Sequence, residues 1–377
     1  MQEHLKSCGS APHRAVLGLL RPALGLPARD GLIADLRASQ PEEIVEAASH
    51  GKGHIATLLS AAFDNDPDLH AHVPEDLVLF FDEIFRANID RHDRVLSHLE
   101  RIGATLGAKG IPVIALKGAA ELLSPTWPDP RRRFLSDVDI LVPEADRAGA
   151  LDALRQSYAN SVTSGEGSVS SVNHEAWLSL PGDDMVVELH WALGHGAMPD
   201  LPPLSRVFQG AVPSAIPGIQ VPSRLDRAQH QIMHDLFLEC RFKRSTNLFP
   251  RSLVDHFMYL NALSGEERAT LIQDFRAASC DLQFNAMDHL VRRVFDEAPQ
   301  PHRGLAERWA THKLRRFGQR HLTRRETILE YLTDGFEGLM FDRVRRGRGA
   351  YLKKLFNLNA LSASLALLRQ RVRDADP

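Results

Sequence analysis

Residues 136–142, SDVDILV, place two acids one residue apart in an otherwise apolar run. Buried strands seldom tolerate one unpaired carboxylate, so a pair narrows the available folds sharply. In a strand the side chains alternate faces. Asp137 and Asp139 therefore share one face, and Val138, Ile140 and Val142 share the other, toward a core. Carboxylates this close repel each other unless positive charge sits between them. A hard divalent cation is the usual answer. Mg²⁺ is commonly held by one or two carboxylates plus substrate phosphates. By itself an Asp-x-Asp pair is not specific, because such pairs also occur in loops and on surface strands.

The neighbouring segments supply context. IPVIAL (111–116) reads as a short buried strand, and GAAELL starts a helix at Gly118. Three prolines within six residues make SPTWPDPRRRFLS a loop, and Pro143 ends the Asp-x-Asp strand. AWLSL and MVVELHW, around a Pro-Gly-Asp-Asp turn, read as a hairpin. Glu188 is a third charge in an apolar strand. If that strand lies beside DVDILV, Glu188 meets Asp137 and Asp139 on one face, and three such acids can hold two metal ions. Read alone, Glu188 is equally a salt-bridged or edge-exposed acid. His190 shares its face and either orients Glu188, acts as a base, or is a satisfied core histidine. Trp191 faces away and reads as core. Lys117 and Gly118 lie at a strand-to-helix turn, where exposed N–H groups suit a phosphate, Gly118 allows close approach, and Lys117 offers an ammonium. Neither a P-loop nor a dinucleotide-binding glycine pattern is present.

Residues from about 14 to 110 read as helical. Leu77, Phe81, Ile84, Asn88, Val95, Leu99, Ile102 and Leu106 mark one helix face, and Gly107 and Gly110 a stop. A polar Gly/Ser loop (160–174) precedes the hairpin, and a Pro-rich connection follows it. From Leu225 the chain is again mainly helical. This divides the chain into an N-terminal helical region (1–110), an α/β core (111–224) and a C-terminal helical region (225–377). Residues 301–377 hold 17 Lys/Arg against 8 Asp/Glu. That excess is either a solvated helical surface or a site for an anionic partner. The net charge of −3 implies no nucleic-acid or membrane partner. Cys8, Cys240 and Cys280 are too scattered for a zinc site or disulfide framework, which suits a reducing cytoplasm. The N-terminal apolar run, broken by Arg21 and Pro22, is not a secretory leader, and no apolar run is long enough to span a bilayer.

Taken together, LKG, WPDPRRRFLSDVDILV and VVELHW resemble the uncharacterised nucleotidyltransferase family of the polymerase-beta-like superfamily. The resemblance covers roughly residues 40–290. It rests on the Leu-Lys-Gly turn, the aromatic-Pro-Asp-Pro loop, an Arg four residues before the first Asp, the Asp-x-Asp strand and the Glu-Leu-His-Trp strand. Two features depart from the pattern. The Gly-Ser usual in the superfamily's first turn is Gly118-Ala119 here, which leaves phosphate contact to backbone N–H groups and Lys117. The family's aromatic is commonly Tyr and here is Trp127. His230 or His234, and Asp255, match polar positions in the family's helical half more loosely.

The resemblance implies an α+β fold: a polymerase-beta-like core, made of a small mixed sheet with helices, flanked by N- and C-terminal helical regions. It implies Mg²⁺, two ions, held by Asp137, Asp139 and Glu188. It implies a nucleoside triphosphate, ATP favoured, bound with Lys117, Gly118, Arg133 and His190. A nucleoside monophosphate would pass to a hydroxyl of a small-molecule, peptide or protein acceptor, and pyrophosphate would leave. Arg133 either forks onto the triphosphate or pairs with one of the acids. The alternatives are a toxin-like transferase acting on tRNA or protein, to which the basic tail would be suited, and a nucleotide-binding module without turnover. His195, in a Gly-flanked loop, has no assigned role.

Overall fold

The structure, a computed structural model of the 377-residue chain, describes residues 9–49, 55–158, 174–178, 185–193, 200–236, 248–295 and 304–316. Cys8, Cys240, His195, the Pro-Gly-Asp-Asp turn, most of the Gly/Ser loop and most of the basic tail fall outside them.

The N-terminal third is helical, as its periodicity requires. α1 (Ala11–Ala23), α2 (Leu32–Arg37), α3 (Pro41–Ala48) and α4 (Ala56–Asn65) precede the long α5 (Glu75–Gly107). α3 opens on a capping box in which Gln40 and Glu43 satisfy each other's backbone N–H groups. α4 is buried from Ala56 to Phe63, so it is an internal helix rather than an amphipathic one. α5 buries the predicted stripe, with Ile84 only partly covered. It ends at Gly107, and three residues on Gly110 takes φ +68°. The Ile111 N–H bonds the Leu106 carbonyl and the Gly110 N–H bonds that of Gly107, the pairing that closes a helix on a left-handed residue.

β1 (Val113–Ala115), α6 (Lys117–Leu123), β2 (Asp137–Leu141), α7 (Arg147–Ser157), β3 (His174–Leu178), β4 (Val186–His190), α8 (Leu204–Gly210), β5 (Val212–Pro213) and β6 (Ile219–Val221) build the central unit. The sheet is mixed, with order β3-β4-β2-β1-β6-β5. β2 is antiparallel to β1 and parallel to β4, β1 is parallel to β6, and the β3/β4 and β5/β6 pairs are antiparallel. The expected hairpin is therefore present, with β4 directly beside the Asp-x-Asp strand. α9 (Arg224–His234), α10 (Pro250–Ala262), α11 (Gly265–Ala277), α12 (Asp281–Phe295) and α13 (Leu305–Arg316) follow. The fold is α+β. Among the described residues no helix is long and apolar enough to cross a membrane.

Two large apolar clusters hold these parts, and α5 runs through both. Leu77, Val78 and Phe81 join a cluster that draws on α1–α4 and on the C-terminal helices, down to Leu314. Val95, Leu99, Ile102 and Leu106 join the cluster under the sheet, with Val113, Val138, Ile140, Val187 and Leu189. The N- and C-terminal helical segments thus share one core, and α5 ties that core to the sheet. Gly103 sets how closely α5 approaches: a Cβ there would lie 2.4 Å from the Pro217 carbonyl oxygen.

Within the helical core His256 is buried, and neither ring nitrogen has a hydrogen-bond partner among the described residues. Asp288 Oδ1 stands 4.0 Å from Nε2. Burial pushes this imidazole down to about 4; Asp288 opposes the shift, and Arg292 and Arg268 add to it. The folded value is depressed, so between about pH 6.5 and 4 the unfolded chain binds a proton that the folded chain refuses, and stability falls as pH falls through that window. His256→Phe, which keeps a ring beside Phe284, is expected to remove about 2–3 kcal/mol of the stability loss between pH 7 and 4.5. Urea unfolding at the two pH values measures it; an unchanged loss would remove His256 from the account.

Candidate active site

The parallel pairing of β2 with β4 sets Asp139 opposite Glu188, with Asp137 opposite Val186 and Leu141 opposite His190. Paired residues in a sheet project to the same side, so all three acids and His190 share one face. Val138, Ile140, Val187 and Leu189 enter the core on the other. On the acid face Leu141 packs with Ile114, Leu116 and Val207, which covers one end and leaves the acids at the other.

Asp139 is the hub. It is buried, and its Oδ1 receives both the Lys117 ammonium at 2.7 Å and His190 Nε2 at 2.8 Å. His190 Nε2 also lies 3.6 Å from Glu188 Oε2. Ligand atoms of Asp139, Glu188 and His190 all fall within 4.8 Å of one another, close enough to share one ion. Asp137 is on the same face but is not among these three. It sits two residues earlier, against the start of β4, and lines the adjoining cleft with Ser136. Two carboxylates and an imidazole suit a divalent cation, and the Lys117 ammonium already brings positive charge to the same oxygen.

Electrostatics follow from this crowding. Burial and the neighbouring Asp139 push the Asp137 carboxyl up to about 6, against the pull of Lys117. Burial would also raise Asp139, but the Lys117 ammonium and the His190 hydrogen bond outweigh it and hold Asp139 well below the usual carboxylate range. Burial works against charge on Lys117 and His190, and the acids overcome it in both, raising each above its ordinary value.

Lys117 reaches Asp139 through a strained backbone. It takes φ 45°, the left-handed region, without being glycine. Such a residue costs on the order of 1–3 kcal/mol and persists where its surroundings fix it. Here the Leu116 N–H bonds the Asp139 carbonyl at 3.0 Å, which brings the turn against β2, and the ammonium completes the attachment. Gly118 lines the cleft, and its missing side chain also makes room for the loop before β2: a Cβ there would overlap Leu135 Cδ2 and lie 2.6 Å from Arg133 Nη1.

Arg133 pairs with an acid, but with neither acid of β2. Its Nε and Nη2 bond the two oxygens of Asp255 at 3.0 and 3.1 Å, and Nη2 also meets Gln231 Oε1 at 3.3 Å. Both partners are buried. Asp255 also accepts from Trp127 Nε1 at 2.9 Å. The aromatic of the Pro-Asp-Pro loop is thus a buried donor tying that loop to α10. Trp191 lies at the edge of the core, under the Arg147 guanidinium at 3.9 Å.

Beside the acids opens a cleft of about 310 Å³. Asp137 and Asp139 line it with Lys117 and Gly118; Gln231, His234 and Arg251 come from the C-terminal helices. A larger cavity of about 480 Å³, lined by Ile111, Pro217 and Gln220 among others, includes none of these residues. Burial pushes His230 down to about 3 and His234 well below the ordinary imidazole value, with Lys117 adding to both. Arg251 was not marked by its sequence; the one local signal is that it follows Phe249-Pro250 at a helix start.

A family model described as an uncharacterised nucleotidyltransferase matches residues 46–296, about two thirds of the chain. No curated protein matches it. Among solved structures it is similar to the solution structure of the antibiotic-resistance factor ANT(2'')-Ia, at 13% identity and a TM-score of 0.35, over 52% of this chain and 98% of that one.

Proposed function

The chain belongs to the uncharacterised nucleotidyltransferase family, and on that premise we propose that it transfers a nucleoside monophosphate from a nucleoside triphosphate, with ATP favoured, to an acceptor hydroxyl. The observation that carries this is the face on which Asp139, Glu188 and His190 gather their ligand atoms within 4.8 Å, beside a cleft that Asp137 and Lys117 line. Asp139 and Glu188 would hold Mg²⁺, with Asp137 beside them for a second ion. Such ions would supply charge neutralisation on the triphosphate and the pyrophosphate.

The protein's own groups do the rest by position. The acceptor oxygen forms a bond to the α-phosphorus, the α–β phosphoanhydride bond breaks, and pyrophosphate leaves with that electron pair. The hydroxyl proton passes to a carboxylate, and Asp137 and Glu188, flanking Asp139, are placed to take it. Lys117, paired with Asp139, balances negative charge on the acid face. His190 orients Asp139 and Glu188 through Nε2. The Arg133–Asp255 pair braces the loop in front of β2. A cytoplasmic setting fits the free, buried thiol of Cys280.

The test is calorimetric titration with each of the four NTPs, with and without Mg²⁺. The expected result is Mg²⁺-dependent binding that favours one base. No binding of any NTP with Mg²⁺ present would defeat the reading.

A further inference from the structure

We infer that Arg251, with His234 beside it, grips the phosphate tail of the nucleoside triphosphate, so that the C-terminal helices supply half of the nucleotide site. This rests on the nucleotidyl-transfer reading above and assigns the role expected of Arg133 to a different residue.

Three cationic side chains line the cleft, Lys117, Arg133 and Arg251, and two of them are already paired. Lys117 is engaged with Asp139 at 2.7 Å. Arg133 spends its fork on Asp255, and both oxygens of that carboxylate are taken: Oδ1 by Arg133 Nε and Trp127 Nε1, Oδ2 by Arg133 Nη2. Arg251 is therefore left short. Its nearest carboxylate oxygen among the described residues is Asp255 Oδ2 at 3.9 Å, outside hydrogen-bond reach. Its Nε is buried and has no hydrogen-bond partner among the described residues. His234, which lines the same cleft, repeats the pattern. Its Nδ1 is buried without a partner among the described residues and stands 3.9 Å from Asp235 Oδ1, which already accepts from Gln231 Nε2.

Buried polar atoms are normally paired, and two orphans lining one cleft call for a ligand that carries acceptors. The acids that line the same cleft define that ligand further. Asp137 and Asp139 attract cations, so the guest is an anion with many oxygens that can meet a cation at one end and a guanidinium at the other. A polyphosphate has that form, and a guanidinium fork matches phosphate oxygens in pairs.

The experiment is calorimetric titration of the full chain with ATP and with AMP, in Mg²⁺, on wild type, Arg251→Gln and Arg251→Lys. Loss of a charge-assisted fork is expected to weaken ATP binding by about 10- to 100-fold in Arg251→Gln, less in Arg251→Lys, with AMP affinity within about twofold of wild type. Matching melting temperatures establish that the variants fold; if Arg251→Gln does not, Arg251→Lys carries the comparison. ATP affinity equal to wild type, or ATP and AMP weakened alike, would overturn the assignment of Arg251 and leave the transferase reading standing. A wild type that binds AMP but gains nothing from the extra phosphates would overturn it too. A wild type that binds no NTP removes the transferase reading, and this inference with it.

Discussion

Asp139→Asn is expected to lower nucleotidyl transfer by about a thousandfold and to abolish Mg²⁺-dependent NTP binding, with the fold intact. Asp139 is the point at which the face converges: its Oδ1 holds Lys117 at 2.7 Å and His190 at 2.8 Å, and it stands opposite Glu188. An amide cannot replace it, because it carries no charge and only one acceptor atom. The fold should survive because the substitution removes one of three crowded negative charges. Lys117 still has Asp137 and Glu188 in its field, and repulsion between Asp137 and its neighbour disappears. The Asp137 carboxyl should drop from about 6 toward its ordinary value, since Asp139 helps to raise it. Calorimetry with NTP and Mg²⁺ reads the binding, and a melting curve reads the fold. Wild-type affinity and turnover in a folded Asp139→Asn protein would remove the acid face from the mechanism.

The strand alternation that makes this face is local, and so is its signature. Asp137 and Asp139 against Val138, Ile140 and Val142 is a period of two that any reader of the sequence can see, and the core contains those three apolar residues as that period requires. Glu188 needed one more step, the adjacency of β2 and β4, which no local pattern encodes. His190 was legible as a neighbour of Glu188 but not as part of the group able to share an ion, because that depends on the parallel register rather than on spacing. Lys117 read as a phosphate ligand; its attachment to Asp139 depends on a left-handed turn at a residue type that seldom adopts one. Harder still were the partners from the helical half. Asp255 lies 122 positions after Arg133. On a helix, a buried charge such as Asp255 and a solvated one have the same appearance in sequence. The same blindness hid α5's double duty: its apolar stripe is continuous, and nothing in it marks where one core stops and the sheet begins.

Asp255→Leu should cost about 3–5 kcal/mol, more than most single substitutions. The pair it breaks is enclosed, with Asp255 fully buried and Arg133 only 4% exposed. Without the carboxylate, the guanidinium is an uncompensated buried cation and the Trp127 indole N–H loses its acceptor. Arg133→Met should cost less, because Asp255 keeps the Trp127 donor and has a second cation, Arg251, 3.9 Å from Oδ2. Arg133 has no comparable substitute. Glu121 acts on it, but burial raises that carboxyl and already discourages its charge. The double variant, Arg133→Met with Asp255→Leu, should recover most of the loss, since two apolar side chains can replace a buried ion pair at little net cost. Urea unfolding of the four proteins gives the coupling directly. Additive losses would show that the pair does not act as a unit. A double variant that regains its stability yet still binds ATP weakly would separate the two consequences of the bridge: closing the core, and setting where Arg251 stands relative to the acids of β2.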